Sequence, residues 1–175
     1  MNAEVFKEAQ KLIQTYKPKS FCEIGSHNGL TAKAICREIA SYYPRLKYFG
    51  YDAFGAVDPI EHNGKSQSSN IHRNHLESRL KGVKREFKFF EWTIHEGLTI
   101  DTITQPLKYG LVYIDGGHSY ETVKHDYNMT KDSKIIIFDD YNLGGVRQAV
   151  DEIGKGYLLK EFDDWKKKVW VIIND

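Results

Sequence analysis

The sequence predicts an α/β fold in which helices cover both faces of one doubly wound, mostly parallel sheet. Apolar runs of strand length alternate with segments of helical periodicity along the chain. The strand-like runs are apolar on both faces, as strands buried between two helical layers are. A length of 175 residues, of which 41% are apolar and 28% charged, fits one globular unit. We therefore expect a single domain over residues 1–175.

The expected elements follow one another in order. A helix opens the chain within residues 1–17, because apolar residues share one face over 3–16 and Pro18 then ends the pattern. The expected strands are residues 20–24, 47–52, 85–92, 109–115 and 134–140, followed in the tail by 157–162 and 167–174. The other expected helices are a segment that follows Gly29, then residues 71–81, 120–130 and 143–153.

Charge and hydropathy exclude several classes of partner. The net charge is +1, so the overall balance does not favour nucleic acid or an anionic membrane surface. No segment approaches the roughly 20 apolar residues that span a bilayer, and the N-terminus has no apolar signal core. Cys22 and Cys36 lack metal-ligand spacing and are expected as small core residues in a reducing compartment. We expect a cytoplasmic protein without a nucleic-acid or membrane partner.

Polar residues follow the expected strands at the edge where open α/β sheets bind ligands. In chain order they are Glu23 with Gly25 and Gly29, Asp52, Trp92 with Thr93, Asp115 with His118, and Asp139 with Asp140. Because the carboxyl ends of parallel strands meet at one edge, this edge is the expected ligand-binding site.

The first of these strands runs into a glycine loop of the form Glu23-x-Gly25-x-x-x-Gly29. The loop lacks the second close glycine and the lysine of phosphate-binding loops, and its acid would repel a pyrophosphate. Asp52, 27 residues after Gly25, is placed to accept hydrogen bonds from a ribose diol. These residues favour a ligand with an adenosine-like diol and a cationic group. A tight strand-to-helix turn is the alternative for the glycines alone.

Four segments carry a family resemblance. EIGSHNG at 23–29 and GYDAF at 50–54 resemble the donor-binding motifs of class I S-adenosylmethionine-dependent methyltransferases. LVYIDGGHSYETVKHDY at 111–127 and IIIFDDYNLGGVRQAVDEI at 135–153 resemble small-molecule O-methyltransferases of the macrocin O-methyltransferase type, with catechol O-methyltransferase as a more distant relative. The resemblance covers roughly residues 19–155 and implies a Rossmann-like, seven-stranded sheet whose antiparallel final strand would be VWVIIN.

The resemblance also implies a site for S-adenosylmethionine. Gly25 and Gly29 would shape the loop around the methionine part, with Glu23 near its ammonium group. Asp52 would hold the ribose, and Trp92 or Thr93 would border the adenine. Three further residues complete the predicted donor-binding set: Ser26, Ala53 and Asp115.

Asp115, Asp139 and Asp140 are the predicted metal ligands, because they end two strands that such a sheet places side by side. Like charges so close repel one another, and a hard divalent cation such as Mg²⁺ removes the repulsion. The macrocin-type enzymes resemble this chain with an Asp-Asp pair, where the catechol enzyme has Asp-Asn. In the alternative, Asp140 caps the next helix with Asn142, and Asp139 accepts hydrogen bonds from backbone N–H groups.

His118 is the predicted general base and, with Asp115, completes the predicted catalytic pair. It lies three residues after Asp115, the spacing at which the catechol enzyme has its general-base lysine. An imidazole can take a hydroxyl proton near neutral pH, especially beside a metal that acidifies that hydroxyl. In the alternative, His118 bonds a backbone carbonyl and shapes the turn before the helix near Ser119.

Residues 53–70 form the longest stretch without periodicity, and they leave the second strand at the ligand-binding edge. Long loops inside compact domains are usually functional or disordered. We expect a mobile cover over the acceptor site, with Phe54 and Ile60 as candidate substrate contacts.

The expected activity is methyl transfer from S-adenosylmethionine to a hydroxyl of a small molecule, such as a sugar or polyol. The alternatives are a related metal-dependent hydroxylase-type enzyme and a donor-binding protein without activity. A nicotinamide-dependent dehydrogenase is disfavoured by the missing GxGxxG, and a nucleic-acid amine methyltransferase by Asp115-Gly116-Gly117-His118 in place of [ND]-P-P-[YF]. Little more than one helix precedes the first strand, so a homo-oligomer could complete the site.

Overall fold

A computed structural model describes residues 3–55, 69–161 and 168–175. The strands are β1 (Ser20–Ile24), β2 (Lys47–Asp52), β3 (Glu91–Glu96), β4 (Leu111–Ile114), β5 (Ile135–Phe138), β6 (Tyr157–Glu161) and β7 (Lys168–Ile173). The helices are α1 (Ala3–Tyr16), α2 (Leu30–Tyr42), α3 (Asn70–Glu86), α4 (Thr99–Thr102), α5 (Tyr120–Thr130) and α6 (Gly144–Ile153). None of these helices has both the length and the hydropathy that a membrane crossing requires.

The strands of the described residues form one seven-stranded sheet in the order β3-β2-β1-β4-β5-β7-β6. Strands β1 to β5 are parallel, and β7 is antiparallel to both β5 and β6. The chain moves outward from β1 to β3 and then returns to pair β4 with β1, which puts the topological switch point between these two strands. The predicted doubly wound sheet with an antiparallel final strand is confirmed.

Each face of the sheet carries its own apolar core because side chains alternate along a strand. Phe21, Tyr48 and Tyr113 point to the face covered by α1, α2 and α3. Cys22 and Val112 point to the opposite face, which α5 and α6 cover. Cys22 and Cys36 are buried free thiols. Glu23 and Tyr113 are register partners in β1 and β4, so the acid shares the face of the first core.

The strand expected at residues 85–92 is wrong. Leu76, Leu80 and Val83 recur at i, i+4 and i+7 and are fully buried, so α3 continues past residue 81 and ends at Glu86. The strand β3 begins five residues later, at Glu91, and pairs with β2 in parallel. The carboxyl end of β3 therefore lies at Glu96, beside Asp52, and not at residue 92.

Candidate functional site

Backbone hydrogen bonds join the loops that follow β1, β2 and β4 at the switch point. The Gly25 N–H donates to the Tyr51 carbonyl at 2.8 Å, and the Asp115 N–H donates to the Ile24 carbonyl at 2.8 Å. The Asp139 N–H continues the ladder by donating to the Ile114 carbonyl at 3.0 Å. These loops lie side by side, so the predicted residues in them share one edge of the sheet.

Gly25 and Gly29 have packing reasons to be glycine. Both are left-handed, with φ of 85° and 78°. A Cβ on Gly25 would lie 2.0 Å from the Asp115 carbonyl oxygen, and one on Gly29 would lie 2.6 Å from Leu76. The tight-turn alternative therefore describes what the glycines do within the chain, and their place around a methionine moiety stays a prediction.

Asp52 binds the glycine loop through its side chain. Its two carboxylate oxygens accept hydrogen bonds from the His27 N–H at 2.6 Å and the Phe54 N–H at 3.0 Å. Each carboxylate oxygen can accept more than one bond, so the predicted ribose contact is compatible with this anchoring and stays a prediction. Ala53 is half-buried beside it, and Phe54 is buried in the α1–α3 core where an acceptor contact was expected. Ile60 lies outside the described residues.

Glu23 is buried beneath the glycine loop and accepts a hydrogen bond from Tyr48. It is 1% exposed, and the Tyr48 hydroxyl donates to its Oε2 at 2.7 Å. The same hydroxyl lies 3.0 Å from the Oγ of Ser26, the predicted donor-site serine, which is 3% exposed. Burial raises the pKa of Glu23 to about 8, although the Tyr48 bond opposes the rise; the Asp115 charge adds to it.

The sequence alone did not identify Tyr48 as a residue of the site, because it looks like any other apolar residue of a strand. Its position in β2 nevertheless indicates a contact with Glu23. Gly50 is the register partner of Glu23, and Tyr48 lies two residues earlier on the same face. Burial raises the pKa of its phenol well above 10, so the hydroxyl keeps its proton and can donate it to a carboxylate.

Asp115, His118 and Asp140 form a compact group after β4 and β5. One ligand atom from each of the three residues lies within 4.8 Å of the others. The His118 Nε2 is 3.4 Å from the Asp140 Oδ2, and these two side chains are 29% and 25% exposed. Asp140 has a left-handed φ of 52°, which turns its side chain away from the direction taken by Asp139. The His118 and Asp140 side chains are therefore partly exposed, unlike Glu23, although the His118 Nε2 atom itself is buried.

The structure does not group Asp139 with Asp115 and Asp140, and its role as a metal ligand stays a prediction. Asp139 is 2% exposed, and its Oδ2 accepts the Tyr113 hydroxyl at 2.5 Å. Its Oδ1 accepts the backbone N–H of Asp140 at 2.9 Å. Asp139 thus turns toward the α1–α3 core, as its alternation with Ile137 requires, and His118 takes the expected third place in the group.

The backbone around His118 is packed tightly against the start of α6. A Cβ on Gly145 would lie 2.3 Å from the His118 carbonyl oxygen and 2.8 Å from the Tyr120 nitrogen. Ser119 caps α5, because its side chain accepts a hydrogen bond from the Thr122 N–H. His118 therefore sits in a turn that its neighbours hold in place, whichever chemical role its imidazole has.

Trp92 and Thr93 lie within β3 and not at its carboxyl end, so the strand-end position expected for them is wrong, and their contact with an adenine stays a prediction. They pair with Tyr48 and Phe49 inside the sheet, because β3 begins only at Glu91. The residue that replaces them toward the carboxyl end is His95, whose ring stacks on Tyr51 with centroids 4.4 Å apart. The prediction failed because β3 starts later in the chain than its sequence pattern indicates.

The group at Asp115, His118 and Asp140 has the chemistry of a divalent cation site. Two carboxylates near each other repel, and a cation between them would remove that cost. Carboxylate oxygens suit Mg²⁺, whereas an added imidazole nitrogen suits metals such as Mn²⁺, Fe²⁺ or Zn²⁺. The residues present fit a divalent cation held by Asp115 and Asp140, with His118 either as a third ligand or as a proton acceptor.

Comparison with known proteins supplies the remaining observations. Residues 22–141 match a family model described as a methyltransferase domain. An O-methyltransferase from Bacillus cereus in complex with SAH has a similar structure, with a TM-score of 0.67 and 14% identity over 99% of this chain and 82% of that one. TomG from Streptomyces achromogenes, an O-methyltransferase of tomaymycin synthesis in complex with SAM, has a TM-score of 0.67 and 13% identity over 100% and 82%.

A fungal structure extends this similarity. The SAH-bound methyltransferase PaMTH1 of Podospora anserina has a TM-score of 0.60 and 13% identity, over 100% of this chain and 80% of that one. No curated protein matches the chain. At these identities the solved structures establish the fold, and the family model identifies the domain.

Proposed function

The chain belongs to the methyltransferase domain family, and from that premise we propose that it transfers a methyl group from S-adenosylmethionine to a hydroxyl of a small molecule. The observation that carries the proposal is the close backbone contact between the glycine loop and the loop of Asp115. It is made at Gly25, where even a Cβ would collide with the Asp115 carbonyl. A donor held by the first loop would lie next to Asp115 and His118 in the second, and Asp140 from the loop after β5 lies beside these two residues.

The donor would lie along the ends of β1 and β2. Glu23 would supply negative charge beneath the glycine loop once it ionises on donor binding, and Asp52 supplies carboxylate oxygens beside the position expected for a ribose. Both features favour a cationic, diol-bearing ligand over a pyrophosphate. The solved structures from Bacillus cereus and Streptomyces achromogenes, which were determined with SAH and SAM, support the same cofactor.

Asp115 and Asp140 would hold Mg²⁺ or another divalent cation. When bound, such a cation polarises an acceptor hydroxyl and lowers its pKa. The two carboxylates would orient the acceptor toward the donor loop, and both side chains are half-buried. Asp139 lies outside this group, and its two oxygens accept hydrogen bonds from the Tyr113 hydroxyl and the Asp140 N–H.

His118 would take the proton of the acceptor hydroxyl. Its Nε2 lies 3.4 Å from the Asp140 Oδ2, so that carboxylate orients the ring and stabilises the imidazolium that forms. The acceptor oxygen attacks the methyl carbon in line with the sulfur. The carbon–sulfur bond breaks, its electron pair stays on sulfur, and S-adenosylhomocysteine leaves. Positioning of the two reactants accounts for most of the expected acceleration.

Two measurements test this proposal in sequence. Isothermal titration calorimetry with S-adenosylmethionine and S-adenosylhomocysteine tests the donor site, and absence of binding to either would reject the proposal. Transfer of a labelled methyl group to a panel of sugars and polyols, with Mg²⁺, with Mn²⁺ and with chelator, then tests the acceptor chemistry. Donor binding without transfer to any hydroxyl compound would favour a binding protein, and oxygen incorporation without methylation would favour a hydroxylase-type enzyme.

A further inference from the structure

The Tyr48 hydroxyl is the hydrogen-bond donor in a buried cluster under the glycine loop. The cluster consists of Glu23, Ser26 and Tyr48, which we call the buried acid cluster. Tyr48 has no exposed surface, and its hydroxyl lies 2.7 Å from the Glu23 Oε2 and 3.0 Å from the Ser26 Oγ. The Tyr48 hydroxyl donates to the nearer carboxylate oxygen and also lies within hydrogen-bond distance of the Ser26 Oγ, whose own proton goes to the Glu23 carbonyl at 3.4 Å.

Gly50 makes the space that this cluster occupies. It lies directly opposite Glu23 in the neighbouring strand. A Cβ there would be 2.7 Å from the Tyr48 oxygen and 2.7 Å from the Ser26 Oγ. A glycine inside a strand weakens it, and here the missing side chain lets a tyrosine hydroxyl cross the strand to reach the acid. The arrangement therefore has a local cost that the acid–hydroxyl bond offsets.

We propose that Tyr48 is a positioning residue for the methyl donor: it holds the Glu23 carboxyl and Ser26 under the glycine loop and stabilises Glu23 as an anion when the donor's ammonium binds. This inference rests on the proposed function. Tyr48 itself has no contact with the donor, because it lies beneath the loop. It acts through Glu23, whose charge reaches a cation above the loop across a water-poor interior.

Burial of Glu23 is what gives Tyr48 this role. The pKa of Glu23 is about 8, chiefly because burial disfavours its charge. The other groups that face it are Asp115 after β4, Asp52 in β2, Tyr113 in β4 and Cys36 in α2, and both aspartates raise its pKa further. Tyr48 opposes this rise. Donor binding should therefore release a proton below about pH 8, and donor affinity should increase with pH until Glu23 is ionised.

The test measures S-adenosylhomocysteine binding by calorimetry from about pH 6.5 to about pH 9, with Tyr48→Phe against the wild type. Loss of a hydrogen bond to a buried charge predicts roughly a ten- to hundredfold weaker affinity at neutral pH. The loss should shrink toward pH 9, because a larger share of Glu23 is then already ionised before the ligand binds in either protein. Tyr109→Phe is the matched control, because it removes another buried tyrosine hydroxyl whose nearest hydroxyl, on Tyr51, is 3.5 Å away.

The Glu23→Gln variant tests whether Tyr48 affects donor binding through the Glu23 carboxylate or in some other way. With a neutral side chain at this position, Tyr48→Phe should weaken binding by less than threefold, and the proton release should disappear. An equal loss with and without the acid, a loss independent of pH, or no loss at all would overturn the inference. Failure of the wild type to bind S-adenosylhomocysteine would overturn the proposed function itself, which is a different result.

Gly50→Ala provides a second perturbation that leaves the tyrosine in place. The added Cβ displaces the hydroxyl from Glu23, so the variant should weaken binding with the same pH dependence as Tyr48→Phe. Thermal unfolding of each variant is measured alongside. If both variants lose cooperative unfolding while Tyr109→Phe retains it, Tyr48 serves stability and the inference is overturned.

Discussion

The two sides of the ligand-binding edge hold their acids differently. The donor side, defined by Glu23 and Asp52, buries both carboxylates and bonds them to hydroxyl and N–H groups of the chain. The acceptor side, defined by Asp115, His118 and Asp140, leaves its groups half-buried with ligand atoms a few ångströms apart. Acids satisfied within the protein hold a shape, whereas close, partly exposed acids suit a ligand from outside. Substitutions should therefore alter folding or pH dependence on the donor side and chemistry on the acceptor side.

The largest expected effect is on the acceptor side. His118→Gln should lower kcat for methyl transfer by roughly 10² to 10⁴-fold, the range for a lost general base, with donor affinity and unfolding unchanged. Single-turnover transfer of labelled methyl groups measures the effect. His75→Gln is the control, because that histidine is exposed on α3. A similar kcat in both variants would assign His118 the turn-shaping role instead.

On the donor side, Glu23 should make stability fall as pH rises. Its folded pKa of about 8 exceeds the ordinary value of 4.5, so the folded protein holds a proton that the unfolded chain loses between these values. Urea unfolding of the wild type and Glu23→Gln from pH 5 to pH 9 should show the wild type losing a few kcal/mol relative to the variant, mostly below about pH 8. Parallel pH curves for the two proteins would contradict the raised pKa of the buried Glu23 carboxyl.

The contact between the two sides should be the next most sensitive point. Gly25→Ala forces a side chain onto the Asp115 carbonyl at a left-handed φ of 85°, and should cost about 3 kcal/mol of unfolding free energy. Gly144→Ala is the control, because no atom lies within 4 Å of its Cβ position at the start of α6. It should be neutral or stabilising by up to about 1 kcal/mol. Equal stability of the two variants would mean that the loops are not coupled as described.

The smallest effects distinguish two neighbouring acids. Asp139→Asn weakens a buried charged bond from Tyr113 and should cost about 1 to 3 kcal/mol. Asp140→Asn removes a charge that faces Asp115, so it should stabilise the protein by less than about 1 kcal/mol and abolish any rise in melting temperature on adding Mn²⁺. Thermal and urea unfolding with and without Mn²⁺ measure both. Matching changes in the two variants would remove the distinction between the buried and the half-buried acid.

Much of the fold could be predicted because alternation and helical periodicity report burial directly. The helix Tyr120–Thr130 and the strands Ser20–Ile24 and Lys47–Asp52 have the predicted bounds. The strand at 85–92 failed because aromatic residues after a helix look like a strand, while the long-range packing of α3 decides where the helix ends. Local pattern carries no information about that packing.

The site was predictable by position and not by side-chain direction. Strand ends identified Glu23, Asp52 and Asp115, since the carboxyl edge follows from topology. Which carboxylate of the Asp139–Asp140 pair joins Asp115 and His118 depends on the left-handed φ of Asp140 and on the bond from Tyr113 to Asp139. Tyr48 likewise joins Glu23 only through the register of two strands distant in sequence. These are three-dimensional relations that spacing does not encode.

The close contacts at Gly25 and Gly145 bear on engineering a new acceptor preference. The backbone of the loop from Asp115 to Tyr120 packs closely against Gly25 at its start and against Gly145 at His118 and Tyr120. Insertions or bulkier residues in that loop would displace both neighbours together, so a library randomised there should yield mostly unfolded clones. Leu143 and Ile100 are exposed and lie outside that loop, so a library randomised at these two positions should contain more folded variants.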